Sequence, residues 1–237
     1  MDLQSINDVL NDLREAHYKI YELSVENKKD ISVLDQSLIF LSSNAYLELK
    51  SLLLLIENKA YHGTYSLCRS ILEKFIYMKY ILEKDSINRA EDFQLSNFKL
   101  KVEIYEKTKK LYPEKVPPID ENELNEYKKP FISSKDKYKW YCINGANSIS
   151  RLFKYFKENK YGYYYMKYSG ETHSNDSITK FIDTFRLKDD KEPYDNSEVI
   201  YIAFEAFSDI LKLLIDHYNL KEIFTSFNVY KEYTIKL

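Results

Sequence analysis

Residues 61–84, YHGTYSLCRSILEKFIYMKYILEK, decide the fold. Read at about 100° per residue, Tyr65, Leu72, Ile76 and Tyr80 share one side with Arg69 and Glu73, while Leu67, Ile71 and Met78 line the other. A helix that is apolar nearly all round belongs in the middle of a bundle. His62-Gly63 marks a break before it. Arg69 and Glu73 sit four residues apart among apolar neighbours, where charged groups are rarely buried without a partner.

Outward from this helix the chain keeps a helical period. Residues 3–28 carry Leu3, Ile6, Val9, Leu10, Leu13, Ile20 and Tyr21 at amphipathic spacing. Residues 31–58 form a longer stretch, with a bend expected at Ser42-Ser43-Asn44 and a run, Leu52 to Ile56, buried on most sides. A further helix covers 86–111. Pro113, Pro117 and Pro118 then end the pattern, because proline lacks the amide donor and restricts the residue before it. Residues 113–145 therefore read as a loop carrying a short helix near 121–128. Two helical stretches follow, 148–158 and 161–174, separated at 159–162 or joined there with a kink. Residues 176–196 read as irregular, and 197–218 as an amphipathic helix with Ser197 as its N-cap. The tail, 220–237, alternates aromatic and charged residues in places and is expected to hold a short strand. The expected architecture is all-α: one helical domain over 1–237, a bundle with an irregular Pro-containing insertion and a short C-terminal tail.

The composition agrees. A chain of 237 residues can bury a large core without disulfides, and its four glycines and five prolines leave no flexible linker between halves. Thirty-five Lys and Arg against 37 Asp and Glu give a net charge of −2, which excludes a strongly basic general nucleic-acid binder. Lys107, Lys109 and Lys110, and again Lys128, Lys129, Lys135, Lys137 and Lys139, are interrupted by acids and read as solvated faces. Cys68 and Cys142 lack zinc or redox spacing, which suits a reducing cytoplasm. The start, MDLQSINDVL, has no basic region followed by an apolar run, and Leu52 to Ile56 is far shorter than a membrane span, so neither export nor insertion is expected. Tyrosine is abundant, at 23 residues, and clusters between Tyr161 and Tyr168, where the rings would stack on bases or line a dimer contact.

No glycine-rich phosphate loop, dinucleotide fingerprint, HExxH or G-x-S-x-G motif is present. If the protein is an enzyme, what remains is a metal-independent and cofactor-independent site built from His, Arg and Lys. Arg69 and Glu73 make either an ordinary surface ion pair or a guanidinium held by a carboxylate so that its planar donors face a phosphate. The second candidate is YYMKYSGETHS, residues 164–174, in which helical geometry brings Tyr165, Ser169 and His173 to one side. His17, His62 and His217 compete with His173, and His62 shares a side with Arg69.

Taken together, Arg69-Ser70-Ile71-Leu72-Glu73 and the later Tyr165-Met166-Lys167-Tyr168-Ser169 with His173-Ser174 resemble an uncharacterised bacterial family of helical proteins. That family's pattern is an Arg-Ser-x-x-Glu helix and a Tyr-Arg-x-x-Ser-x-x-x-His segment. It resembles in turn the HEPN superfamily (higher eukaryotes and prokaryotes nucleotide-binding) and abortive-infection proteins. The resemblance covers about residues 40–176. It implies a HEPN-like bundle that dimerises and an endoribonuclease within a toxin or antiphage defence system, with RNA as substrate and a regulatory protein as a further partner. On that pattern His173 is the general base, Arg69 and Lys167 stabilise the phosphate, Glu73 orients Arg69, and Ser169 holds substrate or His173. Ser70, Tyr165 and Tyr168 are the substrate-contacting residues. Lys167 stands where the HEPN motif has arginine. It keeps the charge and loses the bidentate fork, which Arg69 would supply if the two helices meet. The rival expectation is a non-catalytic interaction, sensor or antitoxin-like module, in which Arg69, Glu73 and His173 form a buried polar network.

Overall fold

The computed structural model describes residues 3–26, 28, 30–60, 63–115, 120–134, 139–143, 148–172 and 196–224. All regular structure among them is helical. The elements are α1 (Leu3–Tyr21), continued by a π-helical turn (Glu22–Glu26), α2 (Val33–Glu57), α3 (Thr64–Glu83), α4 (Ser86–Leu111), α5 (Glu121–Lys128), α6 (Ile149–Tyr155), α7 (Asn159–Thr172), α8 (Asn196–His217) and α9 (Lys221–Phe224).

Helix α3 takes the central place that its all-round apolarity predicts. It packs against α2, α4, α6, α7 and α8. Cys68, Ile71, Leu72, Phe75, Ile76, Met78, Tyr80 and Ile81 are all buried. At ~1.5–3 kcal/mol for each large apolar side chain removed from water, this one helix anchors much of the core.

With so few glycines, the chain stops its helices by other means. Three of them end in Schellman motifs whose left-handed residue is not glycine. After α2, Lys59 (φ 56) and Ala60 donate to Ile56 and Leu55; after α6, Lys157 (φ 59) and Glu158 donate to Lys154 and Phe153; after α8, Asn219 (φ 57) and Leu220 donate to Asp216 and Ile215. Glycine is kept for Gly63, the N-cap of α3, whose φ of 99° lies outside what L side chains readily adopt.

Polar anchors fix the register of the outer helices. Ser32 caps α2, accepting from the Asp35 amide at 3.0 Å and donating to its carboxylate at 2.8 Å. The buried Asp35 also accepts from Lys28 and from the Tyr218 hydroxyl, 2.8 Å away beyond the end of α8. His17 of α1 meets Ser42 of α2 at 2.9 Å, between the rings of Tyr46 and Phe207. The Ser42 hydroxyl donates to the Ile39 carbonyl, so the imidazole Nε2–H is the donor to Ser42.

Among its described residues the Pro-containing insertion is irregular apart from α5, as expected, and it is tied down. The fully buried Asp92 carboxylate of α4 accepts the backbone amides of Ile132 and Ser133 at 2.6 and 2.7 Å. The Tyr80 hydroxyl accepts the Cys142 amide at 3.2 Å. Trp140 packs its ring against Tyr77, Tyr80, Phe93 and Tyr141. Arg89, also buried, lies 4.0 Å over the Tyr80 ring, donates to the Tyr80 carbonyl and pairs with Glu83.

Several expectations need correction. Helix α2 runs unbroken through Ser42-Ser43-Asn44, as one helical stretch over 31–58 requires, with Ser42 and Asn44 bonding back to the carbonyls of Ile39 and Phe40. Asn196 already belongs to α8, which puts Ser197 inside the first turn. Lys221–Phe224, at the start of the tail where a short strand was expected, is helical; 225–237, and the stretch 176–195 that the sequence reads as irregular, lie outside the described residues. Helix α2 is also long and apolar enough, by length and composition, to cross a membrane. Part of that apolarity is exposed, because Phe40, Leu47 and Leu54 recur every seven residues on its outer face. Beside them, Phe40, Phe93, Phe98, Leu100 and Ile104 line a groove of about 900 Å³ between α2 and α4.

Candidate functional site

The two segments singled out in the sequence meet. Helices α3 and α7 pack together. One terminal nitrogen of Arg69 lies 3.4 Å from the Tyr165 hydroxyl, and the guanidinium sits 5.2 Å from the centre of that ring. Its Nε donates to Glu73 at 3.1 Å. Arg69 is thus held from its own helix by a carboxylate and from α7 by a phenol. Both charged side chains keep about a quarter of their surface in solvent, 23% and 24%.

Local sequence explains the alignment. On α3, residues 69, 73 and 77 rise along one ridge at i, i+4 and i+8. On α7, Tyr165 and Ser169 stand one turn apart, and the Ser169 hydroxyl donates to the Tyr165 carbonyl at 2.7 Å. The Tyr165 ring packs 5.6 Å from Phe153 of α6. A third element closes the cluster: the ring of Tyr141, from the insertion, packs 5.4 Å from that of Tyr77. Tyr77 and Tyr141 were missed by sequence reasoning. The i+8 spacing from Arg69 could have flagged Tyr77; nothing local flags Tyr141.

Burial pushes the phenols of Tyr77, Tyr141 and Tyr165 upward, and the nearby Glu73 charge adds to it, so all three are neutral donors at physiological pH. For Arg69, partial burial works against the charge, but the oxygens of Tyr165 and Glu73 outweigh it and raise its pKa further. The arrangement is a fixed, partly exposed guanidinium amid hydroxyl groups, able to meet an anionic oxygen with planar donors.

The remaining candidates go elsewhere. Ser70 turns toward α2, donating to Glu48 at 2.8 Å, where Lys74 grips both carboxylate oxygens; its part is to join α2 to α3. Lys167 lies about 200° around α7 from Tyr165 and pairs with Glu198 of α8 at 2.7 Å, so it does not face Arg69. Tyr168 is fully buried, its ring 5.2 Å from Tyr65 and its hydroxyl 3.4 Å from Glu198, which makes it a core residue with no face for a base. Tyr165 is itself buried. His173 and His62 lie outside the described residues. His17 and His217 belong to the α1–α2–α8 side of the bundle, and burial lowers the pKa of both. Among the described residues no group of three or more His, Cys, Asp or Glu gathers as a metal would require.

In comparison with known proteins, residues 35–192 match the model of a family described as a family of unknown function, DUF5677. The match encloses the stretch 40–176 and takes in α2 to α7. No curated protein and no solved structure matches the chain.

Proposed function

The chain belongs to the DUF5677 family, a family of unknown function, and on that premise we propose that it is a HEPN-like, metal-independent endoribonuclease serving as a toxin or antiphage effector. The observation that carries this reading is the contact between Arg69 and Tyr165. It sets a fixed guanidinium against the face of α7 that bears Ser169, and in the sequence His173 follows Ser169 by four residues. Neutral His173 takes the proton from an RNA 2′-hydroxyl, a role that suits histidine because the unperturbed imidazole pKa of about 6.5 lies near neutral pH. The 2′-oxygen attacks the adjacent phosphorus while the bond to the 5′-oxygen breaks, leaving a cyclic phosphate and a 5′-hydroxyl; the imidazolium or water supplies the leaving oxygen's proton. Arg69 stabilises the charge growing on the phosphate oxygens, and Glu73 and Tyr165 position Arg69. Lys167, held by Glu198, drops out of this scheme, so Arg69 provides the fork. The test is expression of the unaltered chain, His173→Ala and Arg69→Ala at matched levels, with growth and RNA fragments as readouts. Growth arrest and fragments from the unaltered chain alone are expected; equal behaviour of all three sinks the reading.

A second reading, a non-catalytic interaction module, is favoured by the α2–α4 groove and the exposed Phe40, Leu47 and Leu54 stripe. Contiguous apolar surface of this kind marks protein contacts, a homodimer or a regulatory partner.

A further inference from the structure

Residues 148–172 hold five cations, Arg151, Lys154, Lys157, Lys160 and Lys167, against two carboxylates, Glu158 and Glu171, in a chain of net charge −2. Packing sorts them. Lys160 and Lys167 lie along Glu205 and Glu198 of α8, and Glu158 is taken by Lys79 of α3. Lys154 and Lys157 stay exposed, and among the described residues neither has a carboxylate within salt-bridge reach. Arg151, one turn before Lys154, is exposed beside them.

Packing sorts the tyrosines too. Tyr161 is buried with its hydroxyl on Asp209 at 2.6 Å, Tyr165 and Tyr168 are buried, and Tyr164 is half-buried. Tyr163 is 58% exposed and Met166 57%. At about 100° per residue, Tyr163 points roughly 160° away from Tyr165, hence away from α3. Asn159, Tyr163, Met166 and Gly170 form one outward ridge that starts just past Lys157, in the turn after α6, and runs past the turn carrying Ser169. Gly162 lets α6 settle on α7: a Cβ there would stand 3.1 Å from that of Phe153. At Gly162 the two helices are therefore in direct contact, and Lys157 stands two residues before the ridge begins.

We propose that this outer face of the α6–α7 hairpin binds single-stranded RNA, with Lys154, Lys157 and Arg151 on phosphates and Tyr163 stacked on an unpaired base. The inference deepens the ribonuclease reading and rests on it for the choice of polymer. Exposed cations beside an exposed aromatic ring suit a single strand, whose bases offer free faces, better than a duplex, whose bases are stacked inside.

The test uses the full chain and a fluorescent 2′-O-methyl oligouridine of about twelve nucleotides, a length within the usual site size, which internal attack cannot cleave. Lys154→Gln/Lys157→Gln is expected to weaken binding at least about tenfold and to make the slope of log K against log salt shallower by ~1.4, two phosphate contacts at ~0.7 each. Tyr163→Ala is expected to weaken it by roughly five- to a hundredfold. Lys109→Gln/Lys110→Gln, at the far end of α4, should bind as the unaltered chain does. Because every substituted side chain is exposed, circular dichroism should show all variants folded. No binding by the unaltered chain, unchanged affinity in the α6 and α7 variants, or an equal loss from the α4 pair would overturn the proposal. Binding that follows these variants without cleavage of natural RNA keeps this surface and removes the nuclease reading; cleavage by chains whose affinity the variants leave unchanged does the reverse.

Discussion

Arg69 and Tyr165, separated by 96 residues in sequence, are joined by a 3.4 Å contact between guanidinium and phenol. If that contact fixes the guanidinium for phosphate, the two partners are separable by substitution. Arg69→Lys keeps the charge and the pairing with Glu73 but loses the planar fork. It should leave the melting temperature within a few degrees while lowering RNA cleavage by about 10²-fold or more. Tyr165→Phe keeps the ring against Phe153 and should cost less, about tenfold. Cleavage equal to that of the unaltered chain in Arg69→Lys would remove Arg69 from the chemistry.

Asp92 offers a test of the fold. Its buried carboxylate takes two backbone amides from the insertion, and hydrogen bonds to a charged group contribute ~1.5–3 kcal/mol each. Asp92→Ala should lower stability by about 3 kcal/mol in urea denaturation and speed proteolysis between 113 and 145. A loss within 0.5 kcal/mol, on the scale of a neutral surface change, would show that the insertion is held without Asp92, by Trp140 and the Tyr80–Cys142 bond.

The pH dependence of stability follows from His17. Burial lowers its pKa to about 4, whereas an unfolded histidine titrates near 6.5. Between these values the unfolded chain binds more protons, so stability falls as pH drops from about 6.5 to about 4 and levels off below. The loss from this group is at most about 3 kcal/mol. His17→Gln keeps a donor for Ser42 and should flatten most of that slope, leaving the part due to the partly buried His217. Asp35 acts lower. Burial pushes its pKa up, but bonds from Lys28, Tyr218 and Ser32 outweigh this and hold it below 3.8. Its contribution is lost only as pH falls through that lower value. Melts at pH 7, 5.5 and 4.5 follow the His17 window, and melts taken below pH 3.8 follow that of Asp35.

Lys59 holds a left-handed conformation that costs an L-residue ~1–2 kcal/mol. Lys59→Gly removes that strain, at some cost in the entropy of the unfolded chain. A net gain of about 0.5–1 kcal/mol is expected in the denaturant midpoint, and a loss would mean that the Lys59 side chain contributes more than its backbone costs.

The exposed stripe on α2 gives the last prediction. Leu47→Glu/Leu54→Glu should leave the monomer folded, and in sedimentation it should abolish any dimer formed through this face. A dimer of unchanged stability would place the contact elsewhere.

The helices were legible because their signals are local. Apolar period, Gly63 and the three prolines all act within a turn or two of chain. Arg69 with Tyr165 and Ser169 was legible as well, since each lies on a helix face that can be drawn from sequence alone. The fates of Ser70, Lys167 and Tyr168 were not. Each is set by a partner 22 to 31 residues away, Glu48 or Glu198, and which face of α2 or α8 that partner occupies depends on packing. The hold of Asp92 on 132–133 spans some 40 residues and leaves no periodic trace.

Helix α8 covers α3, and the family match at 35–192 stops short of it. During synthesis, α3 emerges more than a hundred residues before the helix that shields one of its sides. Until α8 leaves the ribosome, the most apolar segment of the chain stands partly uncovered, a state in which chaperones bind and incomplete chains aggregate. Completion of the core therefore waits for the synthesis of α8.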